Sequence, residues 1–400
     1  MTYLGELRIN WRYVAAATVG LASGYMLNHF INGIFAPHLI EAFGWSRAQY
    51  ALIGLTILIG VVTMPIAGRL TDLHGVRPMA TVGVVVTPLL FLALAMQGGS
   101  FAYYFAINVA QLVLVGTTTT SMVYSRLIAE RFDRARGLAL SIGAPAAAAA
   151  AFMPLLNGFI EAHGWRAGYV AVAIATAIAG TAALLLLPRR RGEAALATPK
   201  ARRSVKEDYP EIFRSRAFRI IVAGKYFCCL TMMVQASQLK LVFHDKGLDS
   251  STGAWLMSTY AIGIAVGRFL SGLALDRFAA HIVAALVFAL PGVGLFLIGT
   301  DLSDPTWLAV AVVIVGISTG AELDVSAFLV MRFFRVEIYS SVYSLTQVII
   351  AFAGTTGTLL LSLSLKVGGG FGLFYMTTGV IAMLGGLIFL LLGREQPLKD

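Results

Sequence analysis

Charged side chains are scarce in this sequence of 400 residues. Asp, Glu, Lys and Arg together make up 12% of the chain, whereas hydrophobic residues make up 58% and the mean hydropathy is +0.81. A folded chain of this length with so little polar surface is not kept in solution by water. The composition therefore excludes the soluble classes and predicts a protein embedded in a membrane.

Cysteine is also rare, and several functional motifs are missing. The two cysteines, Cys228 and Cys229, are adjacent in one apolar run, so they offer neither a disulfide framework nor a metal site. No Gly-x4-Gly-Lys-Ser/Thr loop is present, which excludes an ATP-driven pump within this chain. No Ser/His, paired-Asp or His-Glu-x2-His arrangement has the spacing of an intramembrane hydrolase. We therefore expect no enzyme activity, no cofactor and no metal.

Long apolar runs recur along the chain. Hydrocarbon about 30 Å thick needs roughly 20 apolar residues per helix, whereas strands of an outer-membrane barrel alternate apolar and polar residues in segments of about ten. The first run has the length of a full span without a cleavage signal, so we expect a retained helix. Polar breaks predict twelve helices, called spans 1 to 12, over residues 12–33, 48–68, 78–97, 102–128, 136–160, 167–187, 218–242, 253–275, 280–299, 305–331, 338–364 and 370–393.

The distribution of basic residues predicts the topology. Of the 30 Lys and Arg residues, 23 lie in or near loops on the side of the N-terminus and five lie on the other side. Cytoplasmic loops are enriched in Lys and Arg, so both termini are predicted to be cytoplasmic, in a plasma (inner) membrane. The net charge of +10 is thus explained by topology and not by binding to nucleic acid.

One long polar interruption divides the chain. Residues 188–217 carry nine basic residues against four acids, which is typical of a cytoplasmic linker lying against anionic headgroups. The linker separates a predicted six-helix bundle over residues 1–187 from a second one over residues 218–400. The pattern Gly-x3-Asp follows span 2 and recurs 204 residues later, after span 8. Such duplication is how many transporters build two faces around a central site.

The loop after span 2, residues 68–77 (GRLTDLHGVR), resembles the loop between the second and third helices of the major facilitator superfamily. A glycine there permits close helix approach, an aspartate caps or pairs with a neighbouring loop, and an arginine lies at the membrane face. The motif and its echo after span 8 comprise Gly68, Asp72, Gly75, Arg77, Gly272, Asp276 and Arg277. The resemblance implies an all-α membrane protein of two pseudo-symmetric six-helix bundles that transports a solute by alternating access.

Residues 43–48 (FGWSRA), together with Arg268 inside span 8, resemble the monocarboxylate transporters and the bacterial oxalate–formate antiporter group. In those families the span-8 arginine holds a substrate carboxylate, so the resemblance implies transport of a small organic anion, a monocarboxylate. Animal members carry an acid one turn before that arginine, where this sequence has Ile264. The middle of span 11 also lacks the lysine of the oxalate–formate exchangers. These two departures weaken the expectation of proton coupling by the animal mechanism and of a second carboxylate site.

Arg268 is also notable on physical grounds. An arginine within hydrocarbon costs several kcal/mol unless it faces a cavity, a partner or a ligand, and the repeat places Met64 at the equivalent position. Its guanidinium is a rigid fork of donors that matches a planar carboxylate. The alternative is a structural arginine that extends toward the loop at Asp276.

Other polar residues inside the spans complete the predicted site. Glu322 and Asp324 lie about 200° apart on a helix, so they cannot share one face. Carboxyl groups removed from water can exchange protons near neutral pH, and histidine does so without help. The predicted substrate-binding residues are Arg268, Tyr124, Asn28, Asn32, Lys225 and Gln347. The candidates for proton coupling are Glu322, Asp324 and His29, in that order.

These residues favour a secondary transporter of a small organic anion, with proton symport, that acts as a monomer in the lipid bilayer. The main alternative is an exporter of a neutral or cationic drug, which would favour a buried acid without an arginine. A channel would usually show pore-lining repetition, and a sensor of the same fold stays open because fold alone does not fix function.

Overall fold

Helices satisfy every backbone N–H and C=O group internally, which is why apolar runs of this length cross a membrane as helices. The computed structural model describes residues 3–46, 49–50, 52–142, 145–187, 205–368 and 370–393, and the regular structure within these residues is helical throughout. The helices of the first half are α1 (Tyr3–Ile9), α2 (Trp11–Ala22), α3 (Tyr25–Phe43), α4 (Ile57–His74), α5 (Val76–Ala95), α6 (Phe101–Ala110), α7 (Ser121–Arg131), α8 (Arg136–Ile142) and α9 (Pro145–Leu186).

The second half continues in the same way. Its helices are α10 (Val205–Arg214), α11 (Arg216–Cys228), α12 (Met232–Asp245), α13 (Ser250–Arg277), α14 (Ala280–Gly299), α15 (Pro305–Phe333), α16 (Tyr339–Lys366) and α17 (Gly370–Leu387). Short 3₁₀ segments at Leu52–Thr56, Val336–Ile338 and Ile388–Leu392 and a π-helical segment at Gln111–Gly116 complete the regular structure of the described residues.

Ten segments of the described chain are long and apolar enough to cross a membrane. One of them, Phe152–Leu186, contains Gly164 at φ 83°, where two helices meet, so this segment corresponds to spans 5 and 6. Helix α4, of 18 residues, corresponds to span 2. Helices of the described residues thus occur in each of the twelve predicted spans, and the all-α membrane fold is confirmed.

Three of the spans are interrupted, which their hydropathy does not predict. Span 1 breaks at residues 23–24 and continues to Phe43, span 4 breaks at 117–120, and span 7 breaks at 229–231. Irregular backbone at membrane depth is tolerated where it is buried in protein or lines a cavity. At the first of these breaks, the Tyr25 N–H donates to Thr119 Oγ1 at 3.0 Å. A backbone N–H group at the break in span 1 is therefore hydrogen-bonded by a side chain at the break in span 4.

Contacts divide the chain into two compact units. The first contains the described residues of Met1–Ala135, Ile142–Arg203 and Val336–Ser344. The second contains those of Arg136–Ser141, Ser204–Arg335 and Leu345–Asp400. The segments Arg136–Ser141 and Val336–Ser344 therefore each pack in the unit formed mainly by the other half of the sequence.

Each unit has its own apolar core. The first is built around buried aromatic side chains that include Phe35 and Tyr169, whose rings stack with centroids 3.8 Å apart. The second is built around aliphatic side chains of α13 and α15, such as Leu256 and Val312. Burial of these side chains supplies the packing that holds each set of helices together.

Most of the predicted linker, residues 188–204, lies outside the described residues. Its final part forms α10, which packs in the second unit with Ile212 buried and with an ion pair between Arg335 and Glu211 at 3.2 Å. The domain boundaries predicted at residues 187 and 218 stay a prediction.

The aromatic motif at residues 43–48 ends α3 in the first unit. Gly44 has a φ of 67°, the left-handed conformation that closes a helix and that glycine adopts at little cost. Trp45 follows, buried, and its indole N–H donates to the Gly99 carbonyl at 3.0 Å. Residues 47–48 lie outside the described residues.

Candidate functional site

Helix α15 carries two buried acids, and each has a basic partner on a different helix of the second unit. Lys225 of α11 lies with its Nζ 3.1 Å from Glu322 Oε1, and both side chains are buried, at 0% and 5% exposure. The ammonium also donates to Ser326 Oγ at 2.8 Å, and Ser326 in turn donates to the carbonyl oxygen of Glu322 at 2.7 Å. The lysine is thus held by two side chains one turn apart on α15.

Arg268 of α13 contacts the second acid through two pairs of atoms. Its Nη2 donates to Asp324 Oδ1 at 3.2 Å, and its Nε lies 3.1 Å from Asp324 Oδ2. The second of these is a charge contact, because its angle is too poor for a hydrogen bond. The side chains are 14% and 6% exposed, and Arg268 Nη2 also approaches the Leu140 carbonyl at 3.5 Å.

The separation of the two acids around α15 explains why their partners differ. Residues two apart on a helix point about 200° apart, so Glu322 and Asp324 meet neighbours on opposite sides. Close approach of α13 and α15 brings the second pair together. A Cβ at Gly267 would collide with the backbone of Ile317, and one at Gly320 would collide with the backbone of Ile264. Small residues at such crossings let membrane helices pack closely.

The first unit contains two predicted substrate-binding residues with unused polar atoms. Tyr124 is fully buried, its ring packs against Gly20 of α2, and its hydroxyl has no hydrogen-bond partner among the described residues. Asn28 of α3 is buried, and its Oδ1 likewise lacks a partner within the described chain. Buried polar atoms are usually hydrogen-bonded, so both atoms are suited to a ligand or to water.

The remaining candidates of these spans are less informative. Asn32 is half-buried, and its backbone carbonyl accepts a hydrogen bond from Tyr50 Oη at 2.9 Å. His29 lies on α3, but its side chain is outside the described residues. Gln347 of α16 belongs to the second unit, where it is half-buried, and its Nε2 makes no hydrogen bond within the described residues.

In the first unit, the glycine and aspartate of the repeated motif meet the start of α16. A Cβ at Gly68 would clash with the Ser340 carbonyl. Asp72 accepts hydrogen bonds from the N–H groups of Ser340 and Ser341, at 2.9 and 2.7 Å, and also pairs with Arg126. A carboxylate at a helix N-terminus satisfies unpaired N–H groups and interacts favourably with the helix dipole.

Gly75 and Arg77 occupy the turn that follows. Gly75 separates α4 from α5 at a φ of 82°, and Arg77 Nη1 donates to the Leu187 carbonyl at 2.6 Å.

The echo of the motif has a similar geometry in the second unit. Asp276 accepts hydrogen bonds from the N–H groups of Gly137 and Leu138, at 2.6 and 2.9 Å, at the start of α8. Gly272 packs so closely that a Cβ there would collide with Ser141. Arg277 is exposed. Both aspartates therefore accept hydrogen bonds from N–H groups at the start of a helix, Asp72 at α16 and Asp276 at α8.

Sequence reasoning missed several partners of the predicted residues. Ser326 is one, because a serine one turn from Glu322 looks like an ordinary packing residue. Arg126 is another, although a basic residue two residues inside the predicted end of span 4 is a usable signal. Thr119 also takes part, because its hydroxyl accepts from Tyr25 and donates to the Val115 carbonyl at 2.7 Å.

Comparison with known proteins identifies the class. The chain matches the Major Facilitator Superfamily over residues 17–244 and again over residues 226–400. The protein belongs to this superfamily, and it is a multi-pass integral membrane transporter and not an enzyme. The predicted superfamily is confirmed, and with it the fold of two six-helix bundles.

Individual relatives are more distant. The chain is 23% identical to human monocarboxylate transporter 11 over 402 residues, covering 97% of this chain and 84% of the relative. It is also 23% identical to the 4-hydroxybenzoate transporter PcaK of Pseudomonas putida, over 76% of this chain and 75% of the relative. The solved structure of a variant of the E. coli fucose:proton symporter FucP is similar with a TM-score of 0.75 at 14% identity, covering 98% and 99% of the two chains. The resemblance to the monocarboxylate group is confirmed.

Proposed function

We propose that this transporter carries a small organic anion, a monocarboxylate, by alternating access together with a proton. It acts as a monomer in the plasma (inner) membrane with both termini cytoplasmic. The observation that carries the proposal is the contact between Arg268 and Asp324, in which a half-buried guanidinium already contacts a carboxylate through two pairs of atoms. A substrate carboxylate has the same charge and shape as the side-chain carboxylate that it would replace.

The relatives support the same class of substrate. One is named a monocarboxylate transporter and another a 4-hydroxybenzoate transporter, and both named substrates carry a single carboxylate. The acid that animal monocarboxylate transporters carry one turn before the arginine is replaced here by Ile264. In this chain Asp324 supplies a carboxylate to the guanidinium of Arg268 from the neighbouring helix α15. An arginine–carboxylate pair is therefore present, but its acid comes from a different helix.

Charge balance couples the anion to a proton. If a substrate carboxylate takes Arg268, the displaced carboxylate of Asp324 is left buried without a counter-charge, which costs several kcal/mol. Protonation of Asp324 removes this cost directly, and protonation of another buried group restores the net charge of the site, so one anion and one proton bind together. The candidates for the proton site are Glu322, Asp324 and His29, in that order.

The alternative, export of a neutral or cationic solute, has less support. A cation requires unbalanced negative charge, but each acid of α15 lies within 3.1 Å of a basic group. A cation would therefore meet a site in which lysine and arginine already neutralise the carboxylates.

The test begins with a ligand screen. Purified protein is heated with lactate, pyruvate, benzoate, a dicarboxylate or a cationic drug, since a ligand that binds only the folded state raises its stability. Counterflow in proteoliposomes with the best ligand then establishes exchange transport.

Arg268→Lys retains the positive charge but cannot donate two parallel hydrogen bonds to one carboxylate. We expect this variant to lose about 1.5–3 kcal/mol of binding, which is about a 10- to 150-fold weaker affinity, with near-normal melting temperature. Arg77→Lys, which changes an arginine bonded to a backbone carbonyl, is the matched control and should bind normally. If Arg268→Lys and Arg268→Gln bind the best acid as tightly as the parent, the carboxylate assignment is wrong and the drug exporter becomes the better account.

A further inference from the structure

A small, partly open cavity in the second unit is lined in part by Glu322, the partner of Lys225. It has a volume of about 30 Å³ and lies where α11 gives way to α12, against α14 and α15. A water molecule needs roughly 10–15 Å³ of such volume and two to four polar partners. The cavity is therefore large enough for one or two waters and too small for an organic substrate.

Two irregularities in the surrounding helices create this space. The chain between α11 and α12 is not helical at residues 229–231. Pro291 of α14 also lines the cavity, and a proline cannot donate to the carbonyl four residues earlier. That carbonyl, of Val287, accepts instead from Ser318 Oγ of α15 at 2.6 Å. The carbonyl that Pro291 leaves without its helical donor is thus hydrogen-bonded by Ser318 of the neighbouring helix.

Glu322 is the acidic residue of the cavity lining. It is 4% exposed, and neither carboxylate oxygen makes a hydrogen bond of good geometry within the described residues. Oε1 has the charge contact with Lys225, whereas Oε2 has no hydrogen-bond partner within the described residues. Gln235 is buried, its Nε2 donates to Thr231 Oγ1 at 2.6 Å, and both residues line the cavity. These groups supply the donors and acceptors that a bound water requires.

Water fits this cavity better than an ion. A sodium ion would lie near the Lys225 ammonium, which already neutralises the carboxylate, and a chloride ion would face the carboxylate itself. The other titratable groups that line the cavity are Cys228 and Cys229 at the end of α11, and α14 contributes only Phe288 and Pro291. From α13, Tyr260 reaches Thr319 with a hydrogen bond of 3.1 Å.

We propose that the cavity is a water site that hydrates Glu322 and lets this carboxylate exchange protons. A proton passes from the bound water to Oε2 and is replaced on the water from outside, which leaves a neutral carboxyl group. The charge of Lys225 is then unbalanced until an organic anion arrives, so the water site links proton uptake to anion binding. The water site stands by itself, whereas its role in coupling rests on the proposed anion transport.

Hydroxyl-radical footprinting tests the water site without any assumption about substrate. Bound water generates radicals next to the side chains that it touches, and methionine is readily oxidised. Met232 lines the cavity and Met233, equally half-buried and adjacent, does not. We expect Met232 in the intact protein to be oxidised several-fold faster than Met233. Equal rates would overturn the proposal.

Gln235→Leu tests the role in coupling, because it removes a polar partner of the water and keeps the charged pair. We expect proton-driven accumulation of the best organic acid to fall several-fold while counterflow stays near the parent value. Gln238→Leu, on the same helix but outside the cavity, is the control. Unchanged accumulation in Gln235→Leu overturns the coupling role. Absence of counterflow in the parent instead refutes the proposed anion transport and leaves the footprinting result standing.

Discussion

Replacing Asp324 by asparagine gives the sharpest test of how the buried charges serve transport. The substitution is nearly isosteric and keeps one oxygen that can accept from Arg268, but it removes the counter-charge. Breaking a buried ion pair from one side costs about 3–5 kcal/mol. Because Arg268 is 14% exposed and also approaches the Leu140 carbonyl, we expect the lower end, about 3 kcal/mol of unfolding free energy.

An organic anion should restore most of this loss. In the parent, a substrate carboxylate competes with Asp324 for the guanidinium, whereas in Asp324→Asn it meets a buried cation without its partner. A ligand at 100 times its dissociation constant stabilises the folded state by about 2.7 kcal/mol, which nearly offsets the expected cost. The stabilisation by a given concentration of organic acid should therefore be larger in the variant, and proton-driven accumulation should be lost.

The assay is thermal unfolding of purified parent and variant in a titration with lactate, pyruvate or benzoate. Asp276→Asn is the matched control, because it changes an acid of the same unit that caps α8. Loss of a cap costs about 0.5–2 kcal/mol, and no organic acid should restore it. If the acids stabilise Asp324→Asn no more than the parent, Asp324 is not the group that the substrate displaces.

Three further predictions concern other parts of the molecule. Lys225→Met should lower the free energy of unfolding by about 3–5 kcal/mol, and the double change with Glu322→Gln should recover most of that loss in denaturation experiments, since it removes both charges. Tyr124→Phe should leave the melting temperature nearly unchanged, because the lost hydroxyl has no hydrogen-bond partner among the described residues. It should weaken binding of the best acid, because this hydroxyl is predicted to bind the substrate. Cysteines at Thr198 and Gly98 should be labelled from opposite membrane faces, and labelling from one face would refute the twelve-span topology.

Candidate site residues could be predicted from the sequence where a single charged side chain is by itself costly to place in the membrane. Arg268 and Lys225 are conspicuous because a basic side chain within a long apolar run is expensive wherever it points. Their partners could not be predicted, since these depend on which helices cross. Asp324 meets Arg268 because α13 and α15 approach closely at Gly267 and Gly320, and glycines in an apolar run do not reveal which neighbour they face.

The helix breaks escaped prediction for a related reason. The residues at 229–231 are a cysteine, a leucine and a threonine, whose hydropathy suits an uninterrupted span. The break depends on tertiary contact, because the Leu230 carbonyl lies where a Cβ at Gly357 would have to be. Residues at this break line the cavity beside Glu322, so hydropathy alone does not predict the cavity.

The Glu-Leu-Asp triplet of α15 shows how local helical geometry can constrain a transport mechanism. Because its acids point to opposite sides, one helix holds two basic partners, Lys225 on α11 and Arg268 on α13. A movement of α15 that separates either pair exposes a charge to hydrocarbon unless a proton or an anion compensates for it. On the proposed function, a proton arrives at one side of α15 and a carboxylate at the other. The sum of the charges on the two pairs and their ligands is then unchanged, which is a physical reason for the two to be carried together.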